Sequence, residues 1–145
     1  DWNDVLSVNL DAVFHLSQAA GRHMVARGHG RIINVASMLS FQGGILVPAY
    51  TASKHAVAGL TKALANEWAA SGVTVNAIAP GYMATDNTAA LRADEAREAS
   101  IVARIPAARW GTPADLQGAF VFLASDAAAY VTGAVVPVDG GWLVR

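Results

Sequence analysis

Apolar positions in the first quarter of the chain recur with the period of a helix. Val5, Leu6, Val8, Val13, Leu16, Ala20 and Met24 fall near a 3.6-residue spacing, which predicts one long helix over residues 2–27. Asp1 stands at the N-cap position and Gly28 at the end. The pattern then changes. Arg31-Ile32-Ile33-Asn34-Val35-Ala36 reads as a short, buried strand, followed by a loop over residues 38–47. Pro48 sits where a helix can start, and residues 49–70 resume the helical period until Ser71-Gly72. Val73 to Ile78 predicts a second strand, closed by Ala79-Pro80-Gly81.

Residues 82–108 are polar, alanine-rich and only weakly helical, and we read them as a mobile excursion. Thr112-Pro113-Ala114-Asp115 opens another helix, with threonine as cap, proline in the first turn and an aspartate beside the helix N-terminus. That helix runs to about Ala124, a short turn follows at 126–130, and Ala134 to Val138 forms a third strand before Asp139-Gly140-Gly141. Helices and strands therefore alternate. The expectation is an α/β fold with three parallel strands and right-handed crossovers, half of a doubly wound sheet of Rossmann type.

Composition narrows the class. The 145 residues are 54% hydrophobic and 14% charged, against roughly 45–50% and 25% in average globular chains. Alanine and valine supply most of the excess, which suits a sheet buried on both faces and helix faces that associate. A net charge of −1 gives no electrostatic case for nucleic acid or an anionic membrane. No apolar run approaches the ~18 residues of a membrane span. The absence of cysteine removes disulfides, thiolate metal sites and thiol nucleophiles. His15, His23, His29 and His55 lack metal-ligand spacing and read as surface or packing residues. These features lead us to expect a cytoplasmic protein without metal.

The chemistry concentrates in one stretch. Tyr50 and Lys54 stand four residues apart in PAYTASKHAVAGLTKAL, so they project one turn apart from one helix face. A phenol titrates near 10 in water, and a nearby ammonium favours its ionised form. Such a pair suits proton exchange with a substrate hydroxyl or carbonyl near neutral pH. Ser37, just past the first strand, is placed to hold the same oxygen. Tyr-x-x-x-Lys alone is also compatible with an ordinary helix and a solvated lysine, so its surroundings decide.

Those surroundings are distinctive. Asn9 in SVNL, Ser37 in INVAS, YTASK at 50–54, NAIAPG at 76–81, RWGTPADL at 109–116, FLASDAAAYVTG at 122–133 and VDGG at 138–141 together resemble the short-chain dehydrogenase/reductase family over essentially the whole chain. ASMLSFQGGILVPAYTASK, VNAIAPGYMATDNTAALRADE, RIPAARWG and VDGGWLVR resemble the family's sugar-acid enzymes, those acting on 2-deoxy-D-gluconate or 2-dehydro-3-deoxy-D-gluconate.

The resemblance implies roles. Tyr50 is the proton donor and acceptor, Lys54 tunes it and binds the nicotinamide ribose, Ser37 orients the substrate oxygen, and Asn9 holds a relay water. Pro80, Gly81, Met83 and Thr85, together with the Tyr82 backbone, face the nicotinamide of NAD, with NADP not excluded. Tyr50 and Lys54 also belong to that cofactor site. For the sugar acid the candidates are Gln42, Arg92 and Trp142, with Arg97 and Arg109 as further cations near the lid. Asn34 is expected to tie neighbouring strands, Asn76 to be structural, and Arg109, Trp110, Gly111 and Asp115 to brace the mobile segment. The resemblance also implies a homodimer or homotetramer built on helices 2–27 and 49–70.

One departure matters. The family opens with a glycine-rich turn, TGxxxGxG, that seats the dinucleotide pyrophosphate on a helix N-terminus, and later carries NNAG. Neither occurs in these residues, and Asp1-Trp2-Asn3-Asp4 runs directly into the apolar pattern. We therefore read residues 1–145 as the catalytic half of one such domain. Alone, this half is expected to be poorly soluble and inactive. The alternatives are a reductase for another carbonyl, such as a 3-oxoacyl thioester or a polyol, and a non-catalytic fragment that acts only in self-association.

Overall fold

The computed structural model describes residues 1–145. The helical period at the start becomes α1 (Trp2–Leu6), a π-helical turn (Ser7–Asp11) and α2 (Ala12–Arg27). The single helix expected over 2–27 is thus interrupted where Asn9 sits. Asp1 makes no side-chain capping bond. Gly28, at φ 72°, ends α2 in the left-handed conformation that glycine adopts without a Cβ penalty. β1 (Gly30–Val35) leads into a 3-10 turn (Met38–Ser40), and α3 (Pro48–Trp68) follows with proline in its first turn. β2 (Val73–Pro80) is two residues longer than its apolar pattern suggested. α4 (Ala89–Ala93), α5 (Glu95–Arg104), α6 (Pro113–Ala124) and β3 (Val135–Val138) complete the chain.

The three strands form one parallel sheet in the order β1-β2-β3. Val35 pairs with Ile78, and Pro80 pairs with Val138, so the strands end together at one edge. β2 is buried along its length except at Pro80, as a central parallel strand covered on both faces must be. Val73 and Val75 pack with Leu64 and Ala65 of α3, and Met24 and Val25 of α2 close against that cluster. Ile78 packs on the opposite face with Leu123 of α6 and with Ala128. β1 and β3 have a free outer edge each. Pro137 lies on the outer strand β3, where a missing N–H is tolerated.

The segment 82–108 is more structured than its polar composition predicts. It carries α4 and α5 and is pinned by a parallel bridge between Met83 and Gly111. Ile101 and Ile105 are buried with Met38 and Trp142. Two well-placed isoleucines hold an otherwise polar helix down, which an average over the segment conceals.

Candidate active site

Four elements converge where the parallel strands end. Tyr50 stands in the first turn of α3 and is 37% exposed. Lys54, one turn on, is buried, and its Nζ donates to the Val35 carbonyl at 2.8 Å. The ammonium lies 5.6 Å from the centroid of the Tyr50 ring. Burial lowers the Lys54 pKa below the usual lysine value, because removal from water disfavours the charged form. The carbonyl takes one of its three N–H bonds, leaving two for a ligand.

Ser37 follows β1 and begins the 3-10 turn. Its Oγ accepts from the Leu39 N–H at 3.1 Å, so its own hydrogen remains free to donate. The Ser40 hydroxyl donates to the Lys54 carbonyl at 2.6 Å and clamps this turn against α3. Ser37 and Tyr50 are therefore carried on two elements that are bonded to each other.

Asn9 reaches the same region from the π-helical turn. Its Nδ2 donates to the Ser53 Oγ at 3.3 Å, and Ser53 donates in turn to the Tyr50 carbonyl at 2.7 Å. A cavity of about 510 Å³ runs along the outer edge of β1, with Asn9 and Lys54 among its lining together with Leu16, Met24, Ile32 and Ile33, and it touches none of Ser37, Tyr50 or Ser53. π-turns widen a helix locally and recur at functional sites. The chain-level pattern did not single out Ser53. A signal was available, since a helical serine bonds readily to the carbonyl three residues back, which here belongs to Tyr50.

Pro80 and Gly81 end β2 at the same edge. A Cβ on Gly81 would lie 2.5 Å from the Asp139 Cα, so the two strand ends approach as closely as glycine allows. Thr85 begins the turn at Asp86–Thr88, and its carbonyl accepts from the Arg92 Nη2 at 3.1 Å. Arg92 is exposed and so leans back over Thr85. Met83 is buried, with its sulfur against Gly111. Gln42 is half-buried just beyond the 3-10 turn.

Other expected residues occupy different places. Trp142 is only 5% exposed, edge-on to Tyr82 at 4.8 Å, with the Arg104 guanidinium 4.0 Å from its ring. A ring so enclosed has no open face for a sugar. Asn34 does not tie strands together. Its Nδ2 donates to the Thr61 Oγ1 at 3.0 Å and its Oδ1 accepts from Ser17, so it joins β1 to α3 and α2. Asn76 is structural as expected: it donates to the Val131 carbonyl and accepts from the Ala134 N–H. Arg109 grips Asp115 through two bonds, 2.9 and 2.8 Å, and is not available to a substrate in this arrangement. All four histidines are exposed, and no group of histidine and carboxylate side chains is arranged to hold a metal. A smaller cavity of about 190 Å³ touches Arg109, Asp115 and Asp139 but none of Asn9, Ser37, Tyr50 or Lys54.

The chain as a whole has relatives among known proteins. The family model described as enoyl-(acyl carrier protein) reductase matches residues 1–143. The chain belongs to the short-chain dehydrogenase/reductase family. Within that family it is 66% identical over 145 residues to the 2-dehydro-3-deoxy-D-gluconate 5-dehydrogenase of Bacillus subtilis strain 168, covering 100% of this chain and 57% of that protein. It is 62% identical over 146 residues to the Escherichia coli K12 protein of the same name, covering 100% of this chain and 58% of that one. Among solved structures, a gluconate 5-dehydrogenase from Burkholderia cenocepacia J2315 in complex with NADP and tartrate superposes with a TM-score of 0.98 at 44% identity, covering 100% of this chain and 57% of its own. An Agrobacterium tumefaciens structure with bound NADP, named as a candidate 2-deoxy-D-gluconate 3-dehydrogenase, does so at 0.98 and 62%, covering 100% and 59%. The chain thus spans somewhat more than half the length of the short-chain dehydrogenases it matches. No helix is long and apolar enough to cross a membrane.

Proposed function

We propose that residues 1–145 are the catalytic half of a nicotinamide-dependent dehydrogenase that interconverts a secondary alcohol and a ketone on a deoxy sugar acid. The observation that carries this reading is the placement of Tyr50. The residue is 37% exposed near the edge where the parallel strands end, the position where open α/β sheets take ligands. The Lys54 ammonium lies 5.6 Å from its ring centroid, the turn that carries Ser37 is tied to α3 through Ser40, and Asn9 is linked to its backbone carbonyl through Ser53.

The residues fit a dinucleotide at one end. Two N–H donors of Lys54 remain for a ribose, and Pro80, Gly81, Met83 and Thr85 line the edge where a nicotinamide would lie. When bound, the nicotinamide carries the hydride to or from the substrate carbon. The protein supplies the rest. The Ser37 hydroxyl donates to the substrate oxygen and fixes it beside Tyr50. In the reducing direction the Tyr50 phenol gives its proton to that oxygen, and in the oxidising direction it takes the proton back. Lys54 stabilises the negative charge that then resides on Tyr50, and Asn9 completes the proton path on the far side of Lys54.

The sugar-acid substrate is supported by the names of the relatives at 66% and 62% identity. Exposed Arg92, held over Thr85, is the cation we assign to the substrate carboxylate, with Gln42 as a hydroxyl partner. NADP bound to two of the solved relatives supports NAD(P) as carrier. Self-association of the whole protein is assigned to residues 2–27 and 49–70, where Phe14 stays exposed on the first helical stretch. The absence of TGxxxGxG from these residues supports an inactive isolated half.

Tyr50→Phe in the complete enzyme tests the reading. Turnover of 2-dehydro-3-deoxy-D-gluconate should fall by at least about 10²-fold while dinucleotide binding by calorimetry is kept. Retained turnover would remove Tyr50 from the mechanism. A preference for a 3-oxoacyl thioester over the sugar acid would move the substrate assignment to the acyl branch of the family.

A further inference from the structure

We propose that Ser40 is a positioning residue for Ser37, and that its hydroxyl fixes where Ser37 stands against the helix that carries Tyr50 and Lys54. One oxygen makes the join. The Ser40 Oγ accepts from the Ser37 backbone N–H at 3.3 Å and donates to the Lys54 backbone carbonyl at 2.6 Å. An N–H only donates and a backbone carbonyl only accepts, so the group between them must do both. A hydroxyl does so, with its single hydrogen spent on Lys54. Ser37 and Ser40 are each only 8% exposed, so water does not take over either bond.

The other bonds of Ser37 lie inside its own turn. Its Oγ accepts from the Leu39 N–H at 3.1 Å, and its carbonyl accepts from the Ser40 N–H at 2.9 Å. Those bonds keep the shape of the turn and would move with it. The bond from Ser40 to Lys54 is the one hydrogen bond that joins residues 37–42 to α3. Two other capping boxes in the chain behave differently. Thr88 closes the box at Thr85 and donates to the Met83 and Thr85 carbonyls. Asp115 closes the box at Thr112 and accepts from Arg109. Both of those side chains stay within their own segment. Ser40 alone reaches a different element, and it does so at the backbone of Lys54. A cap needs only the acceptor side of that hydroxyl, and the donor side is what ties the turn to α3. Alanine at this position would leave the buried Ser37 N–H without a partner and the turn free to shift on the helix. The Ser37 hydroxyl would then meet the substrate oxygen in more than one place.

The inference rests on the reading of Ser37 as the donor that holds the substrate oxygen, and its test separates the two. In the complete dehydrogenase, kcat and the dinucleotide Kd are measured for wild type, Ser40→Ala, Ser37→Ala and the double variant. Ser40→Ala should lose about tenfold in kcat, short of the ~10²-fold that a 1 Å misplacement costs, with the dinucleotide Kd within about twofold of wild type. On the Ser37→Ala background the same change should cost less than about twofold, because no hydroxyl remains to be placed. Where Ser37→Ala turns over too slowly, the cycle is read as calorimetric binding of 2-dehydro-3-deoxy-D-gluconate to enzyme carrying reduced dinucleotide, a dead-end pair that needs no turnover. Ser40→Ala should weaken that binding about threefold, and only where Ser37 is present. Ser40→Thr, which restores donor and acceptor, should recover most of the loss. Should Ser40→Ala fail to fold, Ser40→Cys, a near-isostere whose thiol bonds weakly, takes its place in the cycle. A full tenfold loss on the Ser37→Ala background, or wild-type kcat for Ser40→Ala, overturns the proposal. A dinucleotide Kd that weakens in step with kcat moves the effect to Lys54 and overturns it as well. If Ser37→Ala turns over like wild type, the reading beneath the proposal fails first. If Ser37→Ala is impaired and the cycle is additive, Ser40 alone is misassigned.

Discussion

The Lys54 ammonium is bonded to the last carbonyl of β1, that of Val35, at 2.8 Å. This bond crosses from α3 to the sheet and fixes the height of the lysine against the strand ends. It also partly repays the burial of a cation. The unfolded chain keeps its lysine near the usual ~10.4, whereas burial lowers it in the fold. The folded protein then binds fewer protons than the unfolded one between the two values, so this group adds stability as pH rises through that window. The cost of burying the charge is fully present below the lowered value. Lys54→Met should flatten the rise, as measured by urea unfolding between pH 7 and pH 10. A slope unchanged by the substitution would assign the effect elsewhere.

Gly28 and Gly72 both end helical segments in the left-handed conformation, at φ 72° and 75°. A Cβ on Gly28 meets nothing, while one on Gly72 would lie 2.2 Å from the Gly28 carbonyl oxygen. Gly28→Ala should therefore cost only the conformational strain, about 1–2 kcal/mol. Gly72→Ala adds a backbone clash that neither turn can relieve alone, and should cost at least about 1 kcal/mol more. Equal midpoints for the two variants in denaturant would show that the turns move apart freely.

Asp115 accepts from Arg109 twice and from the Thr112 N–H at 2.7 Å. The Arg109 guanidinium first, and then Thr112, hold its carboxyl well below the usual carboxylate range. A depressed acid stabilises the fold above its unfolded value of about 3.9 and loses that contribution as pH falls below it. Asp115→Asn should lower the thermal midpoint at pH 7, and the gap to wild type should begin to narrow as pH falls below about 4. Both side chains are exposed, so 1 M salt should also narrow the gap. A gap of constant size across this pH range would assign the loss to the helix cap alone.

Trp142 decides between two roles. As a sugar-stacking residue its loss would raise KM and leave stability alone. As the buried partner of Met38, Ile101 and Ile105, its replacement by alanine should cost about 3–5 kcal/mol. Trp142→Phe, which keeps a ring against Tyr82 and Arg104, should cost much less. Chemical denaturation of the two variants separates these roles, and an undiminished midpoint for Trp142→Ala would return the residue to the substrate.

Much of the site could be read from spacing because its core is local. Tyr50 and Lys54 share one turn of α3, and any helix over residues 49–70 puts them on one face. Pro80-Gly81 likewise marks the end of β2 by residue type alone. Trp142 and Asn34 were harder. Both carry groups with many uses, and which neighbour occupies them depends on elements far apart in sequence. Trp142 is claimed by Tyr82 and Arg104, and Asn34 by Thr61 and Ser17. The π-helical turn at Ser7–Asp11 left one trace, the five-residue step from Val8 to Val13 in an otherwise three-to-four-residue apolar period.

By itself, the sequence determined the alternation of helices and strands, the parallel sheet, the phenol–lysine pair and the family. Apolar periodicity, glycine and proline positions and short motifs act over a few residues, so they survive without coordinates. Tertiary structure alone decided that Lys54 bonds Val35, that Ser53 meets Asn9, that Arg92 leans on Thr85 while Arg109 is spent on Asp115, and that Trp142 is enclosed. Each polar side chain has more possible partners than bonds to make, and only the packed positions of the helices on the sheet select among them.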